Sequence, residues 1–195
     1  DRLEVDTLHS RGVDYLRFSS PKAWCFIVHR LDKETSGVMV LAKNKSAKEY
    51  LQEQFGERQV HRLYLALVEG VVDVKQGTVS TWLMEDKFLN VKAVNSKHPK
   101  GKEAISHYQI LKENEDNSLV EVEIETGRRH QIRMAMQYLS APVVGDELHG
   151  AGVIHAERPL NDVKVMCAPV AVFARAVLEK AAPAATVVTE DAFLV

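Results

Sequence analysis

The sequence predicts an α+β fold built on a mixed, mainly antiparallel β-sheet flanked by helices. Three observations predict it. Segments of strand pattern outnumber segments of helix pattern, and several are separated only by short turns. One of them, LVEVEIET at 119–126, alternates strictly, with Val120, Val122 and Ile124 set against Glu121, Glu123 and Glu125. A period of two with one apolar face marks a half-buried strand. Short links between strands favour antiparallel neighbours over crossovers.

The elements follow in order. WCFIV (24–28) and VMVLA (38–42) read as buried strands, and KSAKEYLQEQF (45–55) as a helix in which Ser46 and Glu49 have capping-box spacing. QVHRLYLALVEG (59–70) alternates: Leu63, Leu65 and Leu67 share one face, and Arg62, Tyr64, Ala66 and Val68 the other. GTVSTWLM (77–84) and ISHYQILK (105–112) are further strands. Thr126-Gly127 closes the alternating strand and opens a helix over RRHQIRMAMQYLS (128–140), with Ile132, Ala135, Met136 and Leu139 as its apolar stripe and Arg129, Arg133 and Gln137 on its flank. A last helix fits VAVFARAVLEK (170–180), and EKAAPAAT (179–186) reads as a fraying tail.

Composition narrows the class. At 195 residues, 46% hydrophobic and 27% charged, the chain has the length and apolar content for a real core, in one large domain or a compact pair. No window approaches the roughly 18 apolar residues of a membrane span. The start shows neither a signal-type apolar region nor an initiating Met, so a piece of a longer chain is expected. Cys25 and Cys167 both lie in apolar surroundings and read as free buried thiols, consistent with a reducing, cytoplasmic compartment. The eight His show no zinc-ligand spacing. Net charge is −2, yet bases gather at 92–102 and 127–133 while acids crowd 112–125. That segregation fits either one basic face for a polyanion or two solvated loops.

Three places carry groups suited to chemistry. Asp32, in HRLDKETSG (29–37), sits between two apolar runs, where a carboxylate must be paired or hydrogen-bonded. Thr35 and Ser36 supply hydroxyl donors, and Gly37 permits a sharp return. The same residues would make a structural Asx turn. Tyr64 offers either a ring platform and a hydroxyl or an ordinary core tyrosine. Arg128, Arg129, His130 and Arg133 cluster at a helix start, where free N–H groups favour anions. They fit a phosphate backbone, a pair with Asp32, or a solvated basic face.

Together HRLDKETSG (29–37), RLYLALVEG (62–70), GRRHQIR (127–133) and APVVGDELHG (141–150), in that order, resemble the motifs of the RluA-type pseudouridine synthases. GKEAISHYQIL (101–111) is similar to a strand of the same enzymes. The resemblance covers about 24–180, leaving 1–23 as a poorly matched segment of the same domain and 181–195 as a tail. It implies a mixed sheet with a central cleft, and isomerisation of selected uridines in structured RNA (an rRNA or tRNA stem-loop) by an enzyme using no cofactor and no metal. No membrane is involved, and a monomer is the default.

Carried over by residue, the resemblance makes Asp32 the catalytic aspartate and Tyr64 the ring beside the target base. Arg133 becomes the ion-pair partner of the aspartate. Arg30 would occupy the gap left by the base, and Thr35, Arg62, Arg128, Arg129 and His130 complete the substrate-binding set. Two departures stand out: Arg129 replaces a Thr or Ser, and His149 an aromatic residue. Two rivals remain. A phosphatase-like hydrolase would use Asp32 as nucleophile, but Glu34 stands where such enzymes place a second Asp. An RNA-folding factor would keep the surface without turnover.

Overall fold

The computed structural model describes residues 6–32 and 35–150, together with the backbone of 185–188. The helix expected over 170–180 and Cys167 lie outside the described residues. In chain order the elements are α1 (Leu8–Arg17), β1 (Phe26–Ile27), β2 (Met39–Ala42), α2 (Lys45–Gly56), β3 (Leu63–Glu69), β4 (Gln76–Glu85), β5 (Val91–Val94), β6 (Lys102–Glu113), β7 (Asn117–Ile124), α3 (Gln131–Tyr138), a 3-10 turn at Glu147–His149, and β8 (Ala185–Val188). They fall into two units. The first holds Asp1–Leu31, Gly37–Val60 and Val172–Val195; the second holds Asp32–Ser36 and His61–Ala171.

The second unit is organised by the strand whose alternation the sequence displays. A five-stranded antiparallel sheet runs β3-β7-β6-β4-β5. Along β7, Ser118, Val120, Val122 and Ile124 are buried and the glutamates between them are not. Register sets Ala66 opposite Val120 and Tyr64 opposite Val122, so Tyr64, Ala66 and Val68 form the core face of β3 and the leucine row the wetter one. The core face of the sheet closes against Ile132, Ala135 and Met136 of α3, with Leu139 packed alongside. Ser118, wholly buried, donates its hydroxyl to the Gly70 carbonyl at 2.9 Å. That bond removes the cost of an unsatisfied polar group in the core.

In the first unit, β1, β2 and β8 pair antiparallel in the order β1-β2-β8. Val28, Val40, Ala42, Ala47, Leu51 and Val60 form one cluster; Val13, Cys25 and Leu41 form another. Cys25 is a buried free thiol. His29, the first residue of the HRLD run, holds the fold together locally. Its Nε2 accepts the Val40 N–H at 3.0 Å, and its ring stacks on Phe55.

Four local differences from the sequence reading have simple causes. The cap of α2 is Asn44, whose side chain accepts the Ala47 N–H at 2.8 Å, so Ser46 is already inside the first turn. Helix α3 begins at Gln131 rather than 128, because His130 takes a left-handed conformation (φ 53°) and ends the turn that precedes it. The basic stretch 92–102 opens as strand β5, which the irregular run Val91-Lys92-Ala93-Val94 conceals. Helix α1 was not expected at all. Its Thr7–Ser10 capping box and the packing of Leu8, Val13 and Leu16 supply what its glycine-bearing sequence lacks.

Met136 is completely buried between α3 and the sheet. Met136→Ala is expected to lower unfolding free energy by about 2–5 kcal/mol, the range for truncating a large core side chain. Urea denaturation should show a lower midpoint with an unchanged slope.

Candidate active site

The site is built from the turn that precedes α3. Gln131 is buried and fully used: its Oε1 accepts the Thr126 hydroxyl at 2.8 Å and the Arg128 N–H at 3.0 Å, and its Nε2 donates to the Ile105 carbonyl at 2.8 Å and to the Ser106 hydroxyl at 3.1 Å. Thr126 in turn accepts the Ile105 N–H at 2.9 Å. One amide side chain therefore ties the start of α3 to β6 and fixes the path of Gly127–His130. A left-handed non-glycine residue costs of order 1–3 kcal/mol. Here the turn around His130 is held by that network.

The consequence is a peptide N–H aimed outward. His130 N–H donates to Asp32 Oδ2 at 3.0 Å, across 98 positions of sequence. Asp32 thus lies at the amino end of α3, where unpaired N–H groups and the helix dipole favour a negative charge. The backbone of its own loop closes separately, Thr35 N–H donating to the Asp32 carbonyl at 2.9 Å. The side chain reaches a distant helix instead of capping its own turn, which distinguishes it from an Asx turn. Gly37 takes φ 142°, a conformation that L side chains rarely adopt.

Arg133 lies in the first turn of α3. Its Nε donates to Asp146 Oδ2 at 2.6 Å and its Nη2 to Asp146 Oδ1, a bidentate pair largely shielded from water. The Asp146 carboxylate also accepts the His149 N–H at 3.2 Å and lies 3.1 Å from His149 Nδ1. Burial pushes the Asp146 carboxyl up, but the hydrogen bonds from Arg133 and His149, with their charges, outweigh it and hold that carboxyl far below the usual range. The His149 ring meets His130 edge-on at 5.0 Å. His130 is pushed down, chiefly by burial and next by the Arg133 charge, with Asp32 opposing, so its imidazole is neutral at neutral pH. Its Nδ1 has no hydrogen-bond partner among the described residues.

The remaining expected residues are placed as follows. Tyr64 is half-buried on the core face of β3. Arg62, two residues before it, donates to the Glu125 carbonyl at 2.6 Å; burial lowers its pKa most, and Arg128 lowers it further. A side chain at position 127 would put its Cβ 2.7 Å from Arg62 Nη1, so the guanidinium passes here through space that any residue but glycine would make it leave. Arg128 is exposed and donates to the Glu103 carbonyl at 2.9 Å, while the half-buried Arg129 has a buried Nε without a partner among the described residues. Arg30 is exposed and belongs to the first unit. Sequence reasoning missed Asp146 and Gln131. Asp146 was visible only as the acid of GDELHG, and Gln131 only as a letter within GRRHQIR.

The second unit thus brings together, around the first turn of α3, the Asp32 carboxylate, the His130 and His149 rings and the Arg133–Asp146 pair. Among the described residues, no helix is long and apolar enough to cross a membrane. Residues 3–138 match the family model described as RNA pseudouridylate synthase. The chain is 37% identical over 135 residues to ribosomal large subunit pseudouridine synthase D of Borreliella burgdorferi, covering 69% of this chain and 41% of that protein. It is 36% identical over 144 residues to ribosomal large subunit pseudouridine synthase C of Vibrio cholerae, covering 73% and 45%. Among solved structures, human RNA pseudouridylate synthase domain containing 4 superposes with TM-score 0.65 at 28% identity, over 77% of this chain and 60% of that one. The chain spans about two fifths of the length of the curated relatives it matches.

The Asp146 geometry makes a pH prediction. Its carboxyl ionises at lower pH folded than unfolded, so its contribution is full above the unfolded value near about 4 and is lost as pH falls through the folded value. Asp146→Asn strands Arg133 and is expected to cost roughly 3–5 kcal/mol at pH 7. Thermal melts should show the gap from wild type narrowing as the pH is lowered below about 4.

Proposed function

The chain belongs to the RNA pseudouridylate synthase family, and we propose that it isomerises uridines in structured RNA to pseudouridine, with Asp32 as the essential acid. Two relatives are ribosomal large subunit pseudouridine synthases, which makes large-subunit ribosomal RNA the first substrate to test. The single observation that carries the reading is the Asp32 carboxylate held on the His130 N–H at 3.0 Å.

The reaction breaks a C–N glycosidic bond and rebuilds it as C–C at uracil C5, so the base must detach, turn and be recaptured. A stacked base hides these atoms, and the nucleotide has to be swung out at a cost of a few kcal/mol. Asp32 acts in its ionised form, as nucleophile at the sugar or as base, and needs an oxygen fixed in direction. A peptide N–H does that without adding a group that could donate its proton in the reaction. Tyr64 provides the ring against which the freed base rests. Arg133 supplies positive charge beside Asp32, and Asp146 keeps that guanidinium from wandering.

The substrate's phosphates are held by Arg62, Arg128 and Arg129, with Thr35 and His130 lining the approach. Arg62 and Arg128 repel one another, and an entering phosphate relieves that repulsion. No cofactor or metal is needed, since the net change from C–N to C–C lies within the substrate without oxidation or reduction, and any bond that Asp32 makes to the sugar or to a proton is broken again before product leaves.

Asp32→Asn should preserve the fold and RNA binding while lowering tritium release from uridine-5-tritiated ribosomal RNA by at least about three orders of magnitude. Equal release by variant and wild type would remove Asp32 from the chemistry. Absence of tritium release together with phosphate release that stops in chelator would instead favour a metal-dependent hydrolase.

A further inference from the structure

Away from Asp32, the most uneven part of the chain is 87–102, where five lysines and His98 occur without a single acid in a protein of net charge −2. The fold raises this segment as a hairpin. Strands β4 and β5 pair from Trp82↔Val94 to Glu85↔Val91, and a second turn at 95–101 returns the chain to β6. All five lysines are exposed.

The tip differs from an ordinary solvated loop in being both stiff and apolar. Asp86 Oδ1 accepts the N–H groups of Phe88 at 2.7 Å and Asn90 at 3.0 Å, and its Oδ2 accepts the Asn90 amide at 3.2 Å. Two backbone bonds, Asp86 N–H to Asn90 and Leu89 N–H to Asp86, close it further. Leu89 is left-handed (φ 67°), a strained state for a leucine. The result is a phenylalanine ring 72% exposed, beside a leucine 51% exposed, with Lys87 Nζ 4.9 Å from the ring centroid. A floppy loop would let the ring fold back onto the sheet; this one holds it out in water, at a cost in both strain and hydration.

We propose that the β4–β5 hairpin is an RNA-docking arm, in which Phe88 stacks on an unpaired base and Lys92, Lys97, Lys100 and Lys102 hold phosphates away from the reacting nucleotide. The proposal rests on the RNA-modifying reading above and adds a second contact zone to it. A flat ring flanked by cations matches a base with its phosphates, because every base has a π-face and each nucleotide carries one charge. An acidic protein surface would meet the lysines but has no use for a single isolated ring. Two exposed apolar residues are too few for a membrane wedge.

The test measures binding of a fluorescein-labelled, 20-nucleotide stem-loop RNA with a uridine-rich loop, by anisotropy over a series of salt concentrations. Phe88→Ala is expected to weaken binding roughly tenfold with the salt slope unchanged, and Phe88→Trp to retain affinity. The combined Lys97→Gln, Lys100→Gln, Lys102→Gln variant should flatten the slope of log Kd against log salt by about 0.7–0.9 per lysine. All of these residues are exposed, so unchanged melting temperatures serve as the control for folding. On tritiated ribosomal RNA, KM should rise while kcat at saturating RNA stays near wild type. If the variants match wild type in Kd and slope while wild type still releases tritium, the arm is overturned and the isomerase reading stands. A wild type that binds RNA but releases no tritium overturns the isomerase reading and leaves the arm to be judged on the same Kd comparison.

Discussion

The chemistry proposed for this molecule depends on one hydrogen bond, from the backbone of His130 to the carboxylate of Asp32. A peptide donor is a stringent choice of partner. It cannot rotate away, it carries no proton that leaves at neutral pH, and its direction is set by the chain on either side. Those properties come at the cost of a left-handed histidine and a short α3. Gln131 offsets that cost by filling all of its hydrogen-bonding capacity between α3 and β6. The sheet is therefore more than a scaffold: β6 and β7 set the height and angle at which α3 starts, and α3 sets where Asp32 can rest.

The second feature is the order of charges behind that bond. Asp146 is buried, ionised and doubly bonded to Arg133, with His149 covering its remaining side. Burying such a pair gains little stability by itself, because desolvation consumes most of the attraction. Its value is direction, as a guanidinium clamped through Nε and Nη2 presents its remaining nitrogen, Nη1, along one line. The His130 ring meets His149 edge-on, and its lowered pKa, due first to burial and then to the Arg133 charge, keeps it from adding a competing charge.

Much of this was legible in the sequence, and the reasons for the gaps are physical. The alternation of β7 and the leucine row of β3 announced the sheet, because a period of two survives any tertiary context in which one face is buried. The stripe of α3 was equally plain. Its start was not, since the stop signal is a left-handed histidine, a residue that carries no such label, and the cause is a glutamine bonding 26 positions back in the chain. Helix α1 was hidden for a related reason: its stability comes from packing on Cys25 and Leu41 rather than from its own composition. For the site, HRLDKETSG marked Asp32 as a carboxylate under constraint, but the constraint itself lies 98 residues away. Asp146 was within view as the acid of a Gly-Asp pair. Nothing in local spacing could reveal that it would claim Arg133.

The hold of α3 on Asp32 is tested most directly by the amide resonance of His130 in a nitrogen-15 labelled sample, compared at neutral pH between wild type and Asp32→Ala. Its proton should lie downfield and exchange slowly in wild type, and should move upfield and exchange faster once the acceptor is removed. The Gln131 side-chain resonances should remain in place in both. A His130 amide unchanged in Asp32→Ala would mean that the acid is not held by α3, and the proposed chemistry would lose its foundation.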